Sequence, residues 1–147
     1  MTPTPVSAPP RPARKDFRFW LPLATRWGDM DALGHVNNAM FFTYDESARL
    51  AYFGELMKGD AKFWNDYGLI LAHIEADFLA QLKPPATLDI GFRIAKVGRT
   101  SLQTEAGMFL GEELIAITRG VVVWFDYRSS TPLPVPEDVR ARIEATG

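Results

Sequence analysis

The chain of 147 residues contains no cysteine and only two histidines. Without cysteine there is no disulfide framework, no thiolate nucleophile and no Cys-ligated zinc or iron–sulfur site. Two histidines supply too little for a His-rich centre, so neither a metal nor another cofactor is expected. A large charge excess is missing too. The formal net charge of -2 lacks the basic footprint of nucleic-acid-binding domains, and no nucleic-acid partner is expected. No apolar run approaches the roughly 20 residues that cross a bilayer, which argues against membrane insertion. The N-terminus has no apolar signal core, so a cytoplasmic location is the default expectation.

What is present is ordinary globular material, 47% hydrophobic and 23% charged, in a length that suits one domain. Pro3, Pro5, Pro9, Pro10 and Pro12 crowd residues 1–15. Prolines at that density remove backbone donors and forbid helix, which predicts a flexible or polyproline-like tail ahead of a domain over residues 16–147.

Within the domain the hydrophobic period changes repeatedly. Residues 19–27 read as a first strand, bulged or at an edge because of Pro22. Residues 39–57 read as a helix, with Phe41, Tyr44, Ala48, Ala51, Tyr52 and Leu56 on one stripe and Asp45 paired with Arg49 one turn on. Phe42, Leu50 and Phe53 lie off that stripe, as expected of a helix that other structure surrounds. A short helix is predicted over residues 61–67, capped by Asp60. Residues 69–82 follow as a strand, then Leu88, Ile90, Phe92 and Ile94 alternate with polar or small residues. Gly98-Arg99 and Gly111-Glu112 mark turns into strands over residues 100–110 and 114–127. Pro136 opens a last short helix through Ile143, with Glu137 and Asp138 at its positive end. One strand, one long helix and four more strands joined mainly by short turns predict an α+β domain, with an antiparallel sheet of about five strands packed on that helix.

The chemistry-bearing residues concentrate in Arg26-Trp27-Gly28-Asp29-Met30-Asp31-Ala32-Leu33-Gly34-His35-Val36-Asn37-Asn38, just ahead of the long helix. Gly34 supplies backbone freedom, and Asn37 or Asn38 can cap the helix. Asp29 and Asp31 are two residues apart and would share a strand face, so either carboxylate is a candidate.

The pattern Asp31-x-x-Gly34-His35-Val36-Asn37-Asn38, followed by an aromatic-rich helix carrying Glu46-x-x-Arg49, resembles the hotdog-fold acyl-CoA thioesterases related to 4-hydroxybenzoyl-CoA thioesterase. The resemblance continues through Gly98-Arg99-Thr100-Ser101 and the Val-rich last strand to Pro136-Glu137. It implies a curved sheet wrapped around one central helix, and dimers whose two sheets join, often paired into tetramers, with sites at the subunit interface. It implies that Asp31 acts as general base or nucleophile on an acyl-CoA, giving free CoA and a carboxylic acid. The helix N-terminal amide at Asn38, seven residues on, would polarise the thioester carbonyl. Some relatives have histidine at the Asn38 position; this chain does not, which weakens an Asp/His mechanism. His35 is expected to orient the substrate or the Asp31 loop, or to make a structural hydrogen bond.

Coenzyme A carries phosphates, which Arg93, Lys96 and Arg99, with Thr100 and Ser101, could meet; the competing reading is that these cations solvate a strand edge and a turn. The acyl group would lie against Phe41, Phe42 or Tyr44. His73 is expected to be a satisfied structural histidine, and Glu46–Arg49 a surface or interface ion pair. Two other functions are compatible with the architecture. A non-catalytic acyl-CoA sensor would usually bring a DNA-binding domain. An enoyl-thioester hydratase would want its Asp and His five apart, whereas His35 follows Asp31 by four.

Overall fold

The computed structural model describes residues 9–146. Strands β1 (Phe19–Ala24), β2 (Tyr67–Phe78), β3 (Thr87–Val97), β4 (Ser101–Leu110), β5 (Glu113–Asp126) and the two-residue β6 (Thr131–Pro132) form one sheet, with helices α1 (Met40–Leu56) and α2 (Glu137–Thr146). Every pairing is antiparallel, in the order β1-β3-β4-β5-β2, with β6 added to β5. This is the hotdog arrangement that the sequence pattern implied.

The two central hairpins follow from local chemistry. Gly98 N–H donates to Ser101 O at 2.7 Å, and Gly111 at φ 60° turns the chain between β4 and β5, a conformation that side chains disfavour. Alternation along β3 sends Leu88, Ile90 and Phe92, all essentially buried, onto α1, as the period-two run predicts. On α1 the expected stripe is the buried one, with Phe41, Tyr44, Ala48, Tyr52 and Leu56 inside. Phe53 is also fully buried, while Leu50 stays half exposed.

Three expectations need correction. The strand expected to reach Trp27 stops at Ala24, and residues Trp27–Asp29 form a 3-10 turn. The short helix over residues 61–67 is a set of turns. Trp64 sits at φ 73° with its N–H on Tyr67 O at 2.7 Å, and the Phe63 ring stacks on Trp124 at 5.6 Å, so tertiary packing overrides the local signal. Most consequentially, β2 is not a neighbour of β3. It crosses to the far edge and pairs only with β5.

The outer face of the sheet, away from α1, carries residues 9–17. Arg119 Nη2 donates to Pro10 O at 3.3 Å and Arg93 Nη1 to Asp16 O at 3.2 Å. Arg14 bonds Asp89 at 3.2 Å and lies 4.5 Å from the Trp20 ring centre. Residues 1–8 of the expected tail fall outside the described residues. Phe17 is buried over Gly91 and Gly107. A Cβ at Gly91 would stand 2.5 Å from Phe17 Cγ, and one at Gly107 2.9 Å from Phe17 Cε2. Gly91→Ala should therefore lower stability by about 1–3 kcal/mol through overpacking. In a Phe17→Ala background most of that loss should vanish in urea titrations; strictly additive losses would show that the ring is not what excludes the side chain.

No helix among the described residues is long and apolar enough to cross a membrane.

Candidate active site

The segment between β1 and α1 is held by backbone bonds made possible by its residue types. Asp29 anchors it. Its Oδ2 accepts Arg26 N–H at 3.0 Å and the Tyr44 hydroxyl at 2.7 Å. Its Oδ1 accepts Arg26 Nε at 3.1 Å and lies 3.0 Å from Arg26 Nη2. Burial pushes the Asp29 pKa up, but the hydrogen bonds and charge of Arg26 and the Tyr44 hydroxyl outweigh it and hold the carboxyl below its ordinary value. The same contact, with burial, pushes the Tyr44 phenol well above its ordinary value. Asp29 is 1% exposed and all its oxygens are engaged, so of the two candidate carboxylates it is the one closed to a substrate.

Two residues on, Asp31 is differently placed. Asp31 N–H donates to His35 O at 2.7 Å and Gly34 N–H to Asp31 O at 3.2 Å, with Gly34 at φ 81° closing the turn. Asp31 Oδ1 accepts the N–H groups of Leu33 and His35 at 2.9 and 3.2 Å. These bonds fix the carboxylate while Oδ2 has no hydrogen-bond partner among the described residues. Val36, buried, donates its N–H to Leu82 O at 2.7 Å, which docks the loop against the segment leaving β2.

At the helix start Asn37 Oδ1 accepts Ala39 N–H at 2.9 Å. Asn37 O and Asn38 O accept the amides of Met40 and Phe41 at 2.9 and 3.2 Å. The Asn37 side chain thus closes a turn just ahead of the helix, and the Asn38 N–H is left without an acceptor among the described residues. A free amide at a helix N-terminus favours negative charge.

Asp31, His35, Asn38 and Phe41 line one pocket of about 380 Å³. Its facing wall is Phe78 and residues 79–82, including Gln81, with the Phe41 and Phe78 rings edge to face at 5.6 Å. That wall was not anticipated from sequence: Phe78 ends a recognisable alternation, but nothing local reveals that β2 ends beside the loop. His35 bonds through its backbone and borders the pocket. A carboxylate and a free amide at one pocket can activate water or attack an acyl carbon, and can stabilise an oxyanion.

The remaining candidates lie elsewhere in the chain. Tyr44 is buried behind the pocket on Asp29. Arg93 is on the outer face, bound to Glu105 at 3.0 and 2.6 Å. Lys96, Arg99, Thr100 and Ser101 belong to the β3–β4 turn and its approach. Thr25 N–H bonds Ala86 O just before β3 begins, so the Asp31 loop adjoins the start of β3 and the turn adjoins its end, roughly 30 Å apart at strand rise. His73 corrects its expectation: it is exposed on the outer side of β2, with Nε2 3.4 Å from Glu75. Arg49 bonds Asp45 at 2.6 Å, while Glu46 is 4.0 Å away. Among the described residues no group of three or more His, Asp or Glu side chains could hold a metal.

The chain is similar to known proteins in sequence and in fold. A family model described as the thioesterase-like superfamily matches residues 25–143. An uncharacterised protein of Bacillus subtilis, YsmA, is 31% identical over 102 residues, covering 69% of this chain and 65% of that protein; the match thus spans just under two thirds of the relative's length. The PA5185 protein of Pseudomonas aeruginosa superposes with a TM-score of 0.83 at 31% identity, covering 93% of this chain and 96% of the other. A Thermus thermophilus thioesterase, solved with coenzyme A and zinc, superposes with a TM-score of 0.78 at 33% identity, covering 88% and 94%.

Proposed function

The chain belongs to the thioesterase-like superfamily, and on that premise we propose that it hydrolyses an acyl-CoA thioester to free CoA and a carboxylic acid. One observation carries the reading: Asp31, whose carboxylate keeps one oxygen free, and Asn38, whose N–H has no acceptor among the described residues, line the same pocket. Asp31 activates a water, or attacks the carbonyl carbon to give an anhydride that water then opens. The Asn38 N–H receives the negative charge that develops on the carbonyl oxygen. His35 and Phe41 border the acyl end of the substrate. That a related thioesterase was solved with coenzyme A supports CoA as the carrier.

The CoA phosphates call for cations that one chain keeps at the far end of its sheet. A second copy supplies them. Strand β2 is an edge, with Ile70, Leu71 and Phe78 each about two-fifths exposed, and an exposed apolar edge is a template for pairing. Antiparallel pairing of two β2 strands about a two-fold axis sets the Phe78 end of one copy beside the Leu69 end of the other. Leu69 pairs with Trp124, and Ser101 with Val123, so the partner's Arg99-Thr100-Ser101 turn comes toward this pocket. The active unit is accordingly a homodimer, and dimers of that kind can pair again into tetramers.

A panel of short, branched, aromatic and long acyl-CoAs tests this by following free thiol. Hydrolysis of at least one is expected, from protein that scatters light as a dimer or larger. Tight CoA binding with no thiol release from any substrate would favour a sensor instead. A monomer at micromolar concentration would remove the shared site.

A further inference from the structure

A cleft larger than the Asp31 pocket, about 490 Å³, opens between the start of β1, the last turns of α1 and the end of α2. It lies at the β1 edge of the sheet, opposite β2, so neither Asp31 nor a β2 interface reaches it. Its volume is in the range of small-molecule sites, roughly 300–1,000 Å³.

The lining divides into an apolar floor and a charged mouth. Phe19 and Tyr52 meet edge to face at 5.5 Å, with Leu56 beside them. The Tyr52 hydroxyl has one partner, Thr146 Oγ1 at 3.3 Å, the last described residue of α2. Burial pushes the phenol up from its ordinary value, so it stays neutral. A smaller cavity of about 240 Å³ adjoins the cleft and shares Arg18, Tyr52 and Thr146 with it, giving an elongated ligand room to extend. Arg18, Arg142 and Glu55, all exposed residues, supply the charged part of the lining. Arg142 donates to Leu56 O at 3.2 Å and is 3.6 Å from Asp138. Neither Arg18 nor Glu55 makes an ion pair among the described residues.

We propose that this cleft binds a small organic monocarboxylate with an unbranched hydrocarbon tail, the tail on Phe19, Tyr52 and Leu56 and the carboxylate at Arg18 and Arg142. Arg18 has no acid partner among the described residues and Arg142 only Asp138 at 3.6 Å, so both guanidinium groups keep donors for a carboxylate, whose geometry their fork matches. Glu55 opposes a second negative charge, which restricts the ligand to one. The floor has no charged group, so tail binding is hydrophobic and should strengthen about fourfold with each buried methylene.

Calorimetric titration of octanoate into the full chain tests the site. Saturable binding is expected, weakened about 10-fold or more by Arg18→Glu, since a charge-assisted hydrogen bond is lost and a repulsion added. Ala145→Trp, at an exposed position on α2 that borders the cleft, should abolish binding by filling it, with the unfolding midpoint unchanged in both variants. Octan-1-ol, with the same tail and no charge, should bind more weakly than octanoate. Absence of saturable binding would overturn the site, as would octanoate binding that survives both variants. Binding that disappears in Phe41→Ala but persists in Ala145→Trp would move the acid to the Asp31 pocket and equally overturn it. None of these outcomes bears on whether Asp31 cleaves thioesters.

Discussion

Asp31→Asn should lower thioester cleavage by about 10²–10⁴-fold, the contribution typical of a positioned acid–base group, with little change in the unfolding midpoint. Asparagine is the informative replacement because it keeps an Oδ1 acceptor for the Leu33 and His35 amides. The turn survives and only the charge and basicity are lost. Asp31→Ala removes the turn bonds as well, so it should lose activity at least as far and some stability besides. Asp29→Ala should behave in the opposite order. It strands the buried Tyr44 hydroxyl and frees Arg26, and should lose about 1–3 kcal/mol of stability for the unsatisfied buried group. Any fall in activity should track the loss of folded protein. Thiol release and urea midpoints measured together on the three variants separate the roles. Cleavage that persists in Asp31→Asn but disappears in a well-folded Asp29→Ala would transfer the chemistry to Asp29.

Sequence spacing could not make that separation. Asp29 and Asp31 are equivalent on a period-two reading, and what distinguishes them is the Tyr44 hydroxyl, fifteen residues away and one helical turn into α1. The fold was more readable than the site for a related reason. The alternation of β3, the turn glycine at 111 and the α1 stripe are local, and each element carries its own signature. The path of β2 is not local. Leaving Phe78, the chain passes Lys83-Pro84-Pro85 and enters β3 as if a hairpin neighbour, yet the two strands end up at different places in the sheet. That crossing brings Phe78 and Gln81 to face Asp31, and no residue along the way announces it. His73 was misjudged through the same gap. In a central strand it would need a satisfied buried partner; on an edge strand it faces solvent. Arg93 through Ser101 are also local in sequence but remote from the loop within one chain.

The largest stability effect should come from Arg49→Met, at about 3–5 kcal/mol, the usual loss when one partner of a buried ion pair is removed. Asp45 is 1% exposed, accepts Thr118 Oγ1 at 2.6 Å and Arg49 Nη1 at 2.6 Å, and has no other cation within salt-bridge distance among the described residues. Burial pushes the Asp45 carboxyl up, and the donors from Thr118 and Arg49 offset only part of that. A carboxyl with a raised folded pKa has a fixed sign of linkage. In the unfolded chain it ionises near its ordinary value of about 3.9, while the folded chain holds its proton to higher pH, so stability falls as pH rises between the two values and is flat above. Without Arg49 the folded value moves further up and the window widens. The deficit of Arg49→Met relative to the parent should therefore be small near pH 4 and grow toward neutral pH. Adding Asp45→Asn should recover most of it at neutral pH, because the amide still accepts from Thr118 and carries no charge. Urea titrations across that pH range check the prediction. A deficit that is constant with pH would mean that the guanidinium contributes packing along α1 rather than charge compensation.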